Sequence, residues 1–212
     1  MFQALSRGRK KRSPNYAKVR NMQLVLASTS RYRRVLLERL GIPFSVADPG
    51  VVEQRLSGEA PESMARRLAQ AKALAVAPRF REALVIGCDQ VATKNGEVFG
   101  KPGNHDNAVR QLRALSGGEA VFHTAICVHN TADDRSGIRV VPCRVTFRKL
   151  DDGAIERYLA RERPYDCTGS AKSEGLGIAL IAKMEGEDPN ALVGLPLIAL
   201  VDLLHEQGLN VV

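Results

Sequence analysis

The strongest constraint on this chain lies at residues 24–40, Leu-Val-Leu-Ala-Ser-Thr-Ser-Arg-Tyr-Arg-Arg-Val-Leu-Leu-Glu-Arg-Leu, where a strand pattern becomes a helix pattern across small hydroxyl residues. Leu24 to Ala27 is a short apolar run suited to a buried strand, and Ser28, Thr29 and Ser30 all favour a helix N-cap. From Tyr32 the apolar spacing is helical: Tyr32, Leu36 and Leu40 share a face, Gly41 ends the helix and Pro43 prevents its restart. A helix N-terminus presents unpaired N–H groups and a positive dipole end, so it attracts anions. Arg31, Arg33 and Arg34 crowd that end, where they oppose the dipole and a phosphate would relieve them. An ordinary capped helix with solvated arginines fits the same residues, and this segment alone leaves both readings open.

The net charge of +8 invites a nucleic-acid reading until it is located. Residues 1–20 hold Arg7, Arg9, Lys10, Lys11, Arg12, Lys18 and Arg20 and no acid, which is +7; the rest carries 24 basic and 23 acidic side chains, or +1. The basicity therefore belongs to a tail, residues 1–21, expected to be disordered and solvated, and a nucleic-acid partner is not expected except through it. This acid-free, arginine-rich stretch also has a weak transit-peptide character, and Met22 offers an alternative start. Hydrophobic content of 44% and charged content of 25% suit a globular domain over residues 22–212. No apolar run reaches the ~20 residues of a membrane span, so no membrane partner is expected.

Cys88, Cys127, Cys143 and Cys167 form no C-x-x-C, and are read as free thiols in a reducing cytoplasm. The four histidines lack zinc-site spacing. A catalytic metal would have to rely on carboxylates, which suits Mg²⁺ or Mn²⁺.

Along the chain, Phe44–Ala47 reads as a strand, and Pro61 opens a helix through Ala77 with an apolar stripe of Met64, Leu68, Ala71 and Ala75. Lys72 lies near that stripe, where a lysine usually reaches for solvent. Ala83 to Cys88 reads as a buried strand ending in a turn at Asp89, an acid that is costly there unless paired or bound to metal. Asn95-Gly96 marks a hairpin that returns Lys101 towards Asp89. Asn104 caps a helix; strands follow at 120–129 and 138–149; Asp151 or Asp152 begins another helix. Residues 164–177 form a glycine-spaced loop of the kind that carries binding groups. Ile178 to Ala182 reads as a strand, and a last helix starts near Pro196 and ends at Gly208. Interleaved strands and helices with a long hairpin define an α/β class with a mixed sheet.

Hydroxyls and Arg33 after the first strand, Glu53, Asp89 with Lys101, and Lys172-Ser173-Glu174-Gly175 offer the mixture a metal-bound polyphosphate needs. There is no P-loop, dinucleotide fingerprint or esterase elbow. These motifs, with Gly87-Cys88-Asp89-Gln90-Val91, Gly100-Lys101-Pro102, Asp188-Pro189-Asn190 and Val193-Gly194-Leu195-Pro196-Leu197, resemble the Maf family in order and context over about residues 22 to 212. The resemblance implies an inosine-triphosphatase-like fold, a mixed twisted sheet flanked by helices with a central cleft. It also implies a nucleoside triphosphate pyrophosphatase that uses a divalent metal. Asp89-Gln90 with Lys172-Ser173-Glu174-Gly175 looks like the branch acting on 7-methyl-GTP, whose cationic base suits an aromatic face and a carboxylate. Tyr32, Gln90 and Glu174 match specificity positions. Asp89 matches the catalytic proton acceptor, although it could equally position metal and water. Ser28, Arg33, Lys72 and Lys101 match phosphate-contacting positions, and Glu53, with Asp89, metal ligands. Two alternatives stand beside this expectation: a dTTP/UTP pyrophosphatase of the same family, and a non-catalytic nucleotide-binding regulator of cell division. A homodimer stays open. Arg31 stands where the family usually has Pro, implying a looser or more cationic pocket entrance; Val52 stands where it usually has Asp, implying weaker metal binding.

Overall fold

The computed structural model describes residues 22–212; the expected basic tail lies outside the described residues. Its frame is a seven-stranded mixed sheet in the order β2-β1-β3-β5-β6-β7, with β4 on the far end of β3. The strands are β1 (Gln23–Ala27), β2 (Phe44–Ala47), β3 (Ala83–Lys94), β4 (Glu97–Phe99), β5 (Glu119–Asn130), β6 (Arg135–Phe147) and β7 (Ile181–Gly186). The helices are α1 (Arg31–Glu38), α2 (Pro61–Val76), α3 (His105–Leu115), α4 (Asp152–Glu162) and α5 (Leu197–Glu206). β1 runs parallel to both β2 and β3, and the remaining pairings are antiparallel.

Alternation along the central strands sends side chains into separate layers. Val25, Ala27, Val85, Ala125 and Cys127 pack under Ala65, Ala69, Ala73 and Val76 of α2. Leu24, Leu26, Leu84, Ile86 and Ile126 pack on the other face against Leu36 and Leu37 of α1 and Leu200, Leu203 and Leu204 of α5. A further core joins Phe122, Val145 and Phe147 to Leu112 of α3 and Ile155 and Leu159 of α4.

Several expectations shift in register. The buried stripe of α2 is Ala65, Leu68, Ala69, Lys72, Ala73 and Val76, rotated from the expected one, because small alanines let the helix lie directly on the sheet. Gly87 shows how closely: a β-carbon there would stand 2.1 Å from the Ala69 carbonyl oxygen and 2.6 Å from the Ala73 nitrogen. On α1 the buried pair is Leu36 and Leu37, which frees Tyr32 for the cleft. The strand expected at Ile178–Ala182 is a short 3-10 turn, Leu176–Leu180, followed by β7. Asp89 does not end a strand. β3 runs through it, and Asp89 faces Ala125 of β5 in a continuous ladder that extends beyond the apolar run.

What β3 lacks is its other neighbour. β1 stops with Ala27 opposite Gly87, and β4 ends with Phe99 opposite Ala92. Among the described residues no strand flanks positions 88–91 on that side. The carboxyl end of a parallel strand bordering such a crevice is where open α/β sheets hold ligands.

Candidate active site

The crevice opens over the turn after β1. Ser30 caps α1, accepting from the Arg33 amide at 3.4 Å, and the Ser28 hydroxyl, almost fully buried, accepts from the Ser30 amide at 3.2 Å. Arg33 bends into the crevice. Its Nε donates to the Gly194 carbonyl at 3.0 Å and its Nη1 to Ser28 Oγ at 3.4 Å. The Cys88 thiol donates to the same carbonyl, so one peptide group of the 191–196 loop ties β3 to the arginine. The first section of the cavity, about 340 Å³, is lined by Ser28, Thr29, Arg33, Glu53, Lys72 and Lys101 among others.

Lys72 is 4% exposed, and its Nζ lies 2.6 Å from Asp89 Oδ1 and also pairs with Glu53. The missing β-carbon of Gly87 lets α2 approach closely enough for this reach. Asp89 itself sits behind Lys72, also 4% exposed, and does not line the open cavity. Burial pushes its carboxyl above the ordinary 3.8, against the pull of Lys72 and Arg33. Partial burial works against ionisation of Glu53 too, but Lys72, Lys101 and Arg33 hold it below the usual range. Two neighbouring carboxylates are thus driven in opposite directions, a pattern that separates a proton acceptor from a permanent anion. The loop carrying Glu53 is anchored by Arg67, which forks onto Glu59 at 2.6 and 2.7 Å and donates to the Gln54 carbonyl at 3.0 Å.

The second section is lined by Gln90, Glu174, Leu192 and Gly194 among others, with Ser30, Tyr32, Arg33, Lys101 and Asp166 shared between both. The Gln90 amide nitrogen donates to Thr124 Oγ1 and to the carbonyls of Ala191 and Leu192 at 2.9–3.0 Å. What Gln90 offers a ligand is therefore its carbonyl. The 172–177 loop hangs on Glu162, which pairs with Lys172 and accepts from the Leu176 amide at 2.6 Å. Tyr158 accepts from the Lys172 amide at 3.0 Å.

The crevice therefore gathers all nine candidates: Ser28, Arg33, Glu53, Lys72, Lys101 and Asp89 at one end, and Tyr32, Gln90 and Glu174 at the other. The sequence reading missed Asp166, Glu162, Arg67 and the Gly194 carbonyl. Glu162 did leave a signal: an acid in the last turn of a helix opposes the dipole and needs another reason to be there. Arg67 and Gly194 leave none, because each acts through a contact distant in sequence.

A cation-rich, strand-end crevice with two paired carboxylates on its floor defines an α/β protein equipped to hold a polyanion. Residues 23–207 match the family model described as Maf-like protein, and the chain belongs to that family. Its relatives include a protein of Methylobacillus flagellatus, 59% identical over 89% of this chain and 98% of its own length. Another, from Nitrosospira multiformis, is 55% identical over 90% and 96%. A third, from Idiomarina loihiensis, is 47% identical over 89% and 96%. Each of the three is named 7-methyl-GTP pyrophosphatase. A solved nucleoside-triphosphatase / dITP/XTP pyrophosphatase from Mycobacterium abscessus overlaps 61% of this chain and 74% of its own at 14% identity, with a TM-score of 0.40.

Proposed function

We propose that this chain is a nucleoside triphosphate pyrophosphatase that hydrolyses 7-methyl-GTP to 7-methyl-GMP and pyrophosphate. The observation that carries the reading is the buried Lys72–Asp89 pair, joined to the half-exposed Glu53, at the foot of a crevice whose other cations are Arg33 and Lys101. The names of relatives covering nearly the whole domain support the substrate.

In this reading the triphosphate enters over the N-terminus of α1, where main-chain amides, Ser28, Arg33 and Lys101 hold its oxygens. Its charge draws the Lys72 ammonium outward and frees Asp89. Asp89, with a raised proton affinity, accepts the proton of a water that attacks the α-phosphorus, and pyrophosphate departs. Glu53 stays ionised throughout.

Glu53 and Asp89 would hold a hard divalent cation, and their oxygen donors suit Mg²⁺ or Mn²⁺. Among the described residues no group of three or more His, Cys, Asp or Glu forms a ready-made cage, so the protein's share of such a site is these two carboxylates. A bound cation supplies neutralisation of phosphate charge. The exposed side chain of Val52, beside Glu53, adds no donor. Tyr32, Gln90 and Glu174 select the base. We also assign residues 22–212 to the catalytic domain. The four free thiols fit a reducing cytoplasm, and among the described residues no helix is long and apolar enough to cross a membrane.

The deciding experiment is pyrophosphate release from 7-methyl-GTP, GTP, dTTP and UTP, with and without Mg²⁺ or Mn²⁺. The expected result is metal-dependent release that is fastest with 7-methyl-GTP. Faster release from dTTP or UTP overturns the substrate; no release from any nucleotide overturns the enzyme.

A further inference from the structure

The base section of the crevice is narrow, about 50 Å³, and opens into the 340 Å³ first section across residues that line both. The wall at the junction of the two sections is a clasp from α1 to the 164–177 loop. Arg31 donates to the Tyr32 hydroxyl at 2.6 Å, that hydroxyl donates to Asp166 Oδ1 at 3.1 Å, and Arg31 lies 3.7 Å from Asp166 Oδ2. The Arg31 guanidinium carbon also stands 4.8 Å from the Tyr32 ring centroid. Burial keeps the Tyr32 hydroxyl protonated, so it remains a donor.

An aromatic face joined to a carboxylate is what a cationic ring requires, and Arg31 already uses both. The ammonium of Lys172, 5.9 Å from the same ring, is held by Glu162 and is not free to leave. Among the described residues Arg31 is held only by the clasp, and it is largely exposed, with a side-chain accessibility of 71%. We propose that Asp166 is a further specificity-determining residue, and that Arg31 is its resident cation, keeping the place that a cationic purine takes. This rests on the reading of 7-methyl-GTP as substrate. Exchange of one cation for another leaves Asp166 compensated, whereas neutral guanine must displace Arg31 without replacing its charge.

The test is kcat/KM for 7-methyl-GTP and for GTP in the wild type, Asp166→Asn and Arg31→Gln, with melting curves to show that each folds. Asp166→Asn should lower the ratio of 7-methyl-GTP to GTP by about threefold, the scale of a half-exposed charge pair. Arg31→Gln should raise that ratio by about twofold, even though loss of a cation weakens both triphosphates. A merely structural role would move both nucleotides alike. A ratio in Asp166→Asn equal to or above wild type overturns the role of Asp166. An unchanged or lowered ratio in Arg31→Gln overturns the role of Arg31. A wild type without preference for the methylated nucleotide defeats the substrate reading itself, a distinguishable result.

Discussion

The two ends of the crevice are built differently. At the phosphate end, Lys72 and Asp89 are buried side chains on a helix and a strand that touch backbone to backbone at Gly87. At the base end, Tyr32, Asp166 and Glu174 are half-buried or exposed, and two of the three sit on an irregular loop. Rigid elements fix atoms to within a fraction of an ångström, as proton transfer demands, while loops tolerate change in what they recognise. The contrast teaches that chemistry and selectivity are separately mutable here: damage at one end should abolish turnover, and damage at the other should redirect it.

The sharpest way to break that contrast is Asp89→Asn. Turnover should fall by about a thousandfold, the scale of general-base loss, with the fold kept and the melting temperature lowered, because buried Lys72 is left with Glu53 as its counter-ion. Near-wild-type pyrophosphate release from this variant would remove Asp89 from the reaction. Gly87→Ala comes next, because its methyl would meet the backbone of α2. It should destabilise the fold by about 3 kcal/mol, read from urea unfolding. A cost under ~1 kcal/mol would mean that α2 shifts freely, and that the phosphate end is no more rigid than the other.

At the base end, Glu174→Gln should reduce the 7-methyl-GTP to GTP ratio by several-fold, about 1 kcal/mol, with GTP cleavage little altered. Equal losses on both nucleotides would blur the division. The smallest effect concerns the Glu53 loop. Glu59, forked by Arg67, has its carboxyl drawn from the ordinary 4.5 down to about 2. A depressed carboxylate contributes stability that is present above 4.5 and lost as pH falls towards about 2. The wild type should therefore lose stability across that window, and Glu59→Gln, lacking the group, should show a flatter profile there. Identical acid profiles would show that the Arg67 fork adds nothing measurable.

Much of this was legible in the residues. The apolar run Leu24–Ala27, a cap among Ser28–Ser30, the cap at Asn104 and a helix start at Asp151 or Asp152 report local chemistry, and the caps fall at Ser30, Asn104 and Asp151. Lys72 shows the limit. On spacing alone it is a lysine that reaches for water; only the closeness of α2 to β3 makes it a buried counter-ion. The uninterrupted course of β3 through Asp89 was equally hidden, since strand pairing with β5 overrides the local cue to turn. Two residues announced themselves by being badly placed. Arg31 opposes the dipole at the start of α1 and Glu162 does so at the end of α4, and each holds a neighbour of the crevice, Arg31 the Tyr32 hydroxyl and Glu162 the 172–177 loop. A charge set against its own helix is a sequence-level sign of duty elsewhere.

The stretch of β3 at Cys88–Val91, with β5 along one side and, among the described residues, no strand along the other, carries a final implication. Of these residues Gln90 lines the crevice, and a peptide group offered to an incoming molecule there is one that no codon change short of proline removes. Recognition written into main chain is indifferent to side-chain drift, so part of the grip on a nucleotide can persist while the residues around it vary.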